Sequence, residues 1–219
     1  MIVSARDLAY GYPREQAVFA GLSVDLRSGE MVSLEGPSGS GKTTLLCLLA
    51  GLLRPRVGTV MLCGVPLHTL DDAGRTRARR AHVGFVFQGY HLLAALSARD
   101  NVAEPLVLSG VARATARATA LAVLASVGLE KLAEKRPSEL SGGEKQRVAV
   151  ARALAKNPAI IFADEPTAAL DHETGKAVVA LLRTYADGGG TVLLVTHDAR
   201  LRPFVDRTLG MNEGLAPIP

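Results

Sequence analysis

The stretch Gly36-Pro37-Ser38-Gly39-Ser40-Gly41-Lys42-Thr43 constrains this chain more than any other. It fits the pattern GxxxxGK[ST] and stands between an apolar run at residues 31–35 and a helix-forming run at residues 44–53. Strand, loop and helix in that order is the setting such a loop requires. Glycines let backbone N–H groups fold around an anion, and the following helix adds the positive end of its dipole. Lys42 supplies a full charge and the Thr43 hydroxyl suits Mg²⁺. A Gly/Ser-rich turn without function shares the composition, but not all four fixed positions in this setting. The loop points to a nucleoside triphosphate and says little about its use.

The rest of the chain fits an α/β reading. β-favouring runs occur at residues 31–34, 59–62, 83–87, 159–163 and 191–195, with helical stretches between several of them, the rhythm of a largely parallel sheet. Between Gln88 and Pro158 the rhythm stops. Ala112, Ala114, Ala116, Ala118 and Ala120, then residues 121–127 and 148–155, are mostly helix formers without a strand between them. This predicts a helical insertion of about three helices, punctuated by Pro105, Ser109-Gly110, Gly128 and Pro137-Ser138.

The run at residues 159–163 ends in Asp164-Glu165, which places two carboxylates at the carboxyl edge of the sheet, where ligands bind in such folds. Successive strand residues point to opposite sides, so the two need not share a role. Asp164 suits the Mg²⁺ shell, and Glu165 suits a base or orienter for attacking water. Acidic residues after a strand also form ordinary turns; the loop at Gly36 favours the functional reading.

Composition excludes several classes. With 219 residues, 48% apolar and 21% charged, the chain can bury a core, which rules out a disulfide miniprotein or a disordered tail. The net charge of +4 is spread along the chain, and no basic block interleaves with aromatics as a nucleic-acid surface would. Cys47 and Cys63 lack the clustering of a metal site and read as small buried hydrophobes in a reducing compartment. The first residues lack the pattern of a signal peptide, and the longest nearly apolar run, residues 45–53, is about half a membrane span. These points lead to an expectation of a soluble, cytoplasmic chain. The stretch 75–80, with Arg75, Arg77, Arg79 and Arg80, reads as a solvated helix face, with lipid headgroups or a partner as the alternative. Asp71-x-x-Gly74 matches a GTPase pattern by coincidence, since no NKxD follows.

Leu140-Ser141-Gly142-Gly143-Glu144-Lys145-Gln146-Arg147 resembles the LSGGQ signature of ATP-binding cassette (ABC) ATPases, with Glu144 where Gln is commonest. Ser141-x-x-Glu144 is also a capping box for the following helix, and both readings can hold. Other matches follow in the family's order. Tyr12, with Tyr10 as the alternative register, resembles the adenine-stacking aromatic, and Gln88 the Q-loop glutamine that meets Mg²⁺ and water. Ala169-Leu170-Asp171 is similar to the D-loop, with an N-cap as the plain reading of Asp171. His197 resembles the switch histidine at the γ-phosphate. Lys42 and Asp164 lie 122 residues apart, which fits a core interrupted by an insertion.

The resemblance implies one cassette domain over residues 1–219: an α/β core (1–88 and 159–219) with an N-terminal antiparallel β part, and a helical subdomain (89–158). It implies ATP and Mg²⁺ as ligands. Gly36, Pro37, Ser38, Gly39, Ser40, Gly41, Lys42, Thr43, Thr44 and Tyr12 would hold the nucleotide, with Ser141, Gly142, Gly143, Glu144 and Asp171 acting across a dimer. Glu165, His197, Gln88 and Lys42 would be catalytic, and Thr43, Gln88 and Asp164 metal-binding. It further implies a head-to-tail dimer with a second ABC ATPase subunit, expected to be a homodimer, docked on separate membrane permease subunits at the inner face of the cell membrane. Phe85-Val86-Phe87-Gln88-Gly89-Tyr90-His91-Leu92-Leu93, with Asn101-Val102 and Glu104-Pro105-Leu106, resembles the subgroup of lipoprotein release, macrolide efflux and cell division. Export or envelope work is therefore expected, with regulation of an envelope hydrolase as the alternative. Action on DNA or ribosomes would call for coiled coils or fused cassettes, which 219 residues do not hold.

Overall fold

The computed structural model describes residues 1–12 and 18–211, with residues 215–218 as backbone. Two sheets and a helical layer make up the fold. In chain order the elements are β1 (Val3–Tyr10), β2 (Phe19–Leu26), β3 (Met31–Glu35), α1 (Lys42–Leu49), β4 (Val57–Leu62), β5 (Val65–Pro66), α2 (Asp72–His82) and β6 (Val83–Phe87). Then follow α3 (Ala98–Val107), α4 (Arg113–Ser126), α5 (Gly142–Leu154), β7 (Ile160–Asp164), α6 (His172–Asp187), β8 (Thr191–Val195), β9 (Arg207–Met211) and β10 (Leu215–Ile218).

The larger sheet runs β10-β9-β3-β8-β7-β6. It is parallel from β9 to β6, and only β10 is antiparallel to its neighbour. β8 is buried along its whole length and β7 at its first four residues, which is why both read as continuous apolar runs: helices cover both faces of a parallel sheet. This register brings the carboxyl ends of β3, β6, β7 and β8 to one edge.

The smaller sheet, β2-β1-β4-β5, is antiparallel. It takes in residues 59–62, one of the β-favouring runs of the sequence. Val60 and Leu62 face the shared core while their neighbours are more open, an alternation that belongs to a sheet with one wet face. β1 and β2 pack Val3, Ala5, Leu8, Leu22, Val24 and Leu26 onto the same core.

The expected insertion is helical, and α3, α4 and α5 form a separate apolar cluster around Ala98, Val102, Ala116, Ala120, Leu124 and Val148. On α4, Ala116, Ala120 and Leu124 recur every four residues, so the alanine-rich run buries one stripe and lets helices approach closely. Pro105 does not end α3, which continues to Val107 before Gly110 turns the chain at φ 93°. α1 stops at Leu49, short of the expected Leu53, where Gly51 takes φ 71°.

The expected solvated face at residues 75–80 holds for Arg77 and Arg80 and fails for Arg75 and Arg79. Arg75 is only 8% exposed, and Arg79 donates to the Gly51 carbonyl, so this side of α2 packs inward instead of forming a solvated face. Asp71 accepts from the Gly74 N–H as the N-cap of α2, which accounts for that pair without nucleotide chemistry. Cys47 and Cys63 are half-buried rather than buried, and desolvation raises both thiols above their ordinary value.

Candidate active site

The loop at residues 36–41 joins β3 to α1 at the carboxyl edge of the larger sheet. Gly41 stands at the N-cap of α1 with φ 91° and gives the helix no side-chain cap. A Cβ at Gly41 would overlap the Val18 side chain, so glycine is needed for both conformation and space. With no acidic residue in the first turn, the leading N–H groups of α1 are left for an anion. Lys42, 7% exposed, donates from Nζ to the carbonyls of Gly36 and Pro37, each at 2.8 Å. Its charge is therefore held within the loop. The Thr43 hydroxyl donates to Asp164 Oδ2 at 2.8 Å, which ties the start of α1 to the end of β7.

Tyr12 and Thr44 share a hydrogen bond between hydroxyls at 3.2 Å. With Val18, Gly39, Gly41, Lys42 and Thr43 they line a recess of about 310 Å³ beside the loop. Tyr10 meets Tyr12 edge-on, centroids 5.2 Å apart, and is not among the lining residues. Ser38 and Pro37 are exposed, and the Ser40 hydroxyl is buried without a partner.

A second recess of about 480 Å³ gathers Gln88, Glu165 and His197 with Thr167, Ala168, Leu170, Thr196, Asp198 and Arg200. Gln88 is exposed in the turn after β6. Glu165 takes φ 47°, unusual for a residue with a side chain, and its N–H donates to the Val195 carbonyl. That turn brings Glu165 Oε1 within 3.0 Å of His197 Nε2, although Oε1 has no aligned hydrogen bond. Burial raises the Glu165 carboxyl above its ordinary value; nearby His197 opposes the shift, and Asp164 adds to it. A carboxylate that is desolvated, close to a histidine without an aligned hydrogen bond and open to a recess is chemically suited to take a proton from water. Asp164 Oδ1 is likewise buried without a partner, next to the Thr43 hydroxyl on Oδ2.

The signature stretch is built differently. Ser141 is the N-cap of α5: its hydroxyl accepts from the Glu144 N–H, and Glu144 Oε2 accepts from the Ser141 N–H at 2.7 Å. Those bonds hold the Glu144 carboxyl below its ordinary value. A Cβ on Gly143 would overlap the Thr174 methyl, and one on Gly142 would stand 3.2 Å from Tyr90 Oη. Thr174 in turn donates from its N–H and hydroxyl to Asp171, the N-cap of α6, and holds that carboxyl down. Ser141, Gly142, Gly143, Glu144 and Asp171 line neither recess.

Sequence reasoning passed over several neighbours of the site. Thr196 is buried and its hydroxyl accepts from the Asp198 N–H. Arg200 pairs with Asp198 through two nitrogens, and Arg202 does the same with Glu35, the residue before the loop. A charged residue at the end of a mostly apolar strand, Glu35 after Met31-Val32-Ser33-Leu34, was the available signal.

A mononucleotide-type sheet edge, a free helix start and a paired acid and histidine define a nucleotide-hydrolysing class of site. Residues 19–168 match the ABC transporter family, and the chain belongs to it. It is 45% identical over 203 residues to the lipoprotein-releasing system ATP-binding protein LolD of Chromohalobacter salexigens, covering 92% of this chain and 86% of that one. It is 40% identical over 216 residues to the macrolide export ATP-binding/permease protein MacB of Escherichia coli (strain K12), of which it spans 33%. The ATP-binding cassette MJ0796, solved as a post-hydrolysis dimer bound to ADP and Pi, superposes with a TM-score of 0.89 at 37% identity, covering 97% of this chain and 96% of that one. The chain is thus an ATP-binding and ATP-hydrolysing cassette of the transporter type. No helix among the described residues is long and apolar enough to cross a membrane.

Proposed function

We propose that this chain works as a head-to-tail dimer which closes over two ATP molecules and drives a membrane complex for lipoprotein release or related export. The observation that carries the dimer is the separation of roles: Lys42 and Glu165 line the recesses, whereas Ser141 to Glu144 line neither. A second copy presenting its α5 start would complete each site. The choice of export rests on likeness to LolD across most of both chains. Membrane permease subunits would take up the motion, with the cassette held peripherally at the inner face of the membrane. We assign residues 1–88 and 159–219 to the core, and 89–158 to the helical subdomain.

Within each site the free N–H groups of α1, residues 36–41 and Lys42 hold the phosphates, Tyr12 packs on the base and Thr44 supports it. Glu165 accepts a proton from the attacking water, while His197 and Lys42 balance charge on the γ-phosphate. Gln88 orients water at the rim. Ser141, Gly142 and Gly143 meet the γ-phosphate of the opposite subunit, and Asp171 crosses the interface. Thr43, Asp164 and Gln88 offer oxygens fit for Mg²⁺, Asp164 Oδ1 being buried and unpaired. The ion would neutralise phosphate charge there.

The test is light scattering of purified Glu165→Gln protein with and without MgATP, alongside turnover. The variant is expected to bind ATP, to lose turnover by on the order of a thousandfold, within the range typical for a lost general base, and to accumulate as a dimer. A variant that stays monomeric at saturating ATP and turns over normally sinks both the base and the sandwich.

A further inference from the structure

Gln146 is completely buried, and neither its Oε1 nor its Nε2 has a hydrogen-bond partner. Gly142 and Gly143, four and three residues earlier, share its face of α5. Through them that face meets Tyr90, Leu170 and Thr174. Val150 and Ala153, four and seven residues later, carry the same stripe into the apolar cluster of Val86, Ala163 and Leu170. Gln146 therefore sits where α5 meets two segments: the turn after β6 that holds Gln88, and the loop before α6 that holds Asp171.

A buried amide without partners is rare in native structures. Leu or Met would fill similar space without stranding a donor and an acceptor, and both match Gln in helix propensity. No group of the described residues pairs with the amide where α5 now stands, which points to a use in another arrangement of the helix. The turn is already tied to α5 further along the helix, where Arg152 donates to the carbonyls of Tyr90 and His91. Those two residues both take positive φ, 59° and 48°, and Gln88 and Gly89 beside them are exposed. The turn thus follows α5 at Arg152 and is open to a second hold at Gln146.

We propose that Gln146 is a positioning residue whose amide pairs with the backbone of the turn 88–90 when ATP joins two subunits, fixing the start of α5 for the opposite nucleotide. This rests on the ATP-closed dimer put forward above. Gln146→Leu and Gln146→Met test it in the full chain, each alone and in the Glu165→Gln background. Without nucleotide, at least one variant melts about 2–4 °C higher, as expected for removing an unpaired polar group from a chain of this size. In the Glu165→Gln background the ATP concentration for half-maximal dimerisation rises on the order of tenfold, and ATP-induced hydrogen-exchange protection at residues 88–91 is lost. Replacing a purely structural glutamine would not raise stability and weaken closure at once. If both variants melt at or below the parent, the amide is already paired at rest and the proposal fails; it fails equally if dimerisation needs the same ATP. Failure of Glu165→Gln alone to dimerise removes the dimer reading and this inference together, whereas an unchanged ATP requirement in the double variants removes only the inference.

Discussion

Helices α1 and α5 both begin with glycine-rich segments, yet their N-termini are kept in opposite conditions. At α1, Gly41 supplies no cap, no acid stands in the first turn, and Lys42 waits on the loop carbonyls with its charge turned inward. At α5, Ser141 and Glu144 satisfy each other's N–H groups, and Gly143 is pressed against Thr174. An uncapped helix start is unfavourable until an anion arrives, so α1 is built to bind in its own subunit. A self-capped start is stable alone, and must reach its ligand with its geometry already set. The difference teaches that one half of the site invests in affinity and the other in shape.

The largest expected effect tests the affinity half. Lys42→Ala removes the only cation placed inside the loop and should weaken ATP binding by on the order of a hundredfold, as losing a charge-assisted contact to phosphate does. Fluorescent-nucleotide titration measures it. Its melting temperature should change far less, because the two carbonyls it frees belong to an exposed loop. Unchanged affinity would mean that the free N–H groups of α1 suffice, and the contrast with α5 would collapse.

How much of this contrast was legible beforehand depends on whether local sequence decides the feature. Residues 36–43 and 141–144 announce their turns through glycine and capping chemistry, and the buried runs of β7 and β8 are apolar throughout, so these were read correctly. β1 and β2 were expected only through the resemblance, as an N-terminal antiparallel part, and not from their own pattern, because Asp7, at φ 52°, and Gly21, at φ 71°, break their alternation at register shifts or an edge. Residues 59–62 were read as a strand without a sheet assigned to them, since a short apolar run does not encode its partner. The approach of His197 to Glu165 arises from a positive φ at Glu165 and the pairing of β7 with β8, neither of which spacing reveals. The inward packing of Arg75 and Arg79 was likewise invisible, because the Leu70 and Gly51 carbonyls they reach lie outside α2, beyond their Asp72 and Thr76 partners on the helix itself.

The shape half is tested by Gly143→Ala. Its Cβ would overlap the Thr174 methyl, so α5 must shift or Thr174 must turn, at a cost of about 1–3 kcal/mol for overpacking. Turnover should fall with ATP affinity little changed, the reverse of Lys42→Ala. Thr174→Ser removes the offending methyl and keeps the hydroxyl that donates to Asp171. The double variant should therefore recover both melting temperature and turnover. If Thr174→Ser rescues nothing, Gly143 is required by what it meets outside this chain, and the packing argument is wrong.

The smallest effect concerns the Glu165 carboxyl, which stands apart from the caps at Glu144 and Asp171. Burial raises Glu165, whereas hydrogen bonds lower the other two. A raised carboxyl favours its neutral form in the folded chain, so the stability it contributes is complete below the ordinary carboxylate range, about pH 4, and is lost as pH rises through the folded value. Glutamine has no such loss. Nucleotide-free Glu165→Gln should therefore match the parent in melting temperature near pH 4 and exceed it by about 1–3 °C at pH 7–8. Glu144→Gln should behave in the opposite sense, melting lower than the parent at neutral pH, because its carboxylate gains from the Ser141 N–H only when ionised. Scanning calorimetry across that range separates the two. Equal shifts of one sign at both positions would show that the acid at the sheet edge is as well satisfied as the one in the cap, and hence that it is not poised to accept a proton.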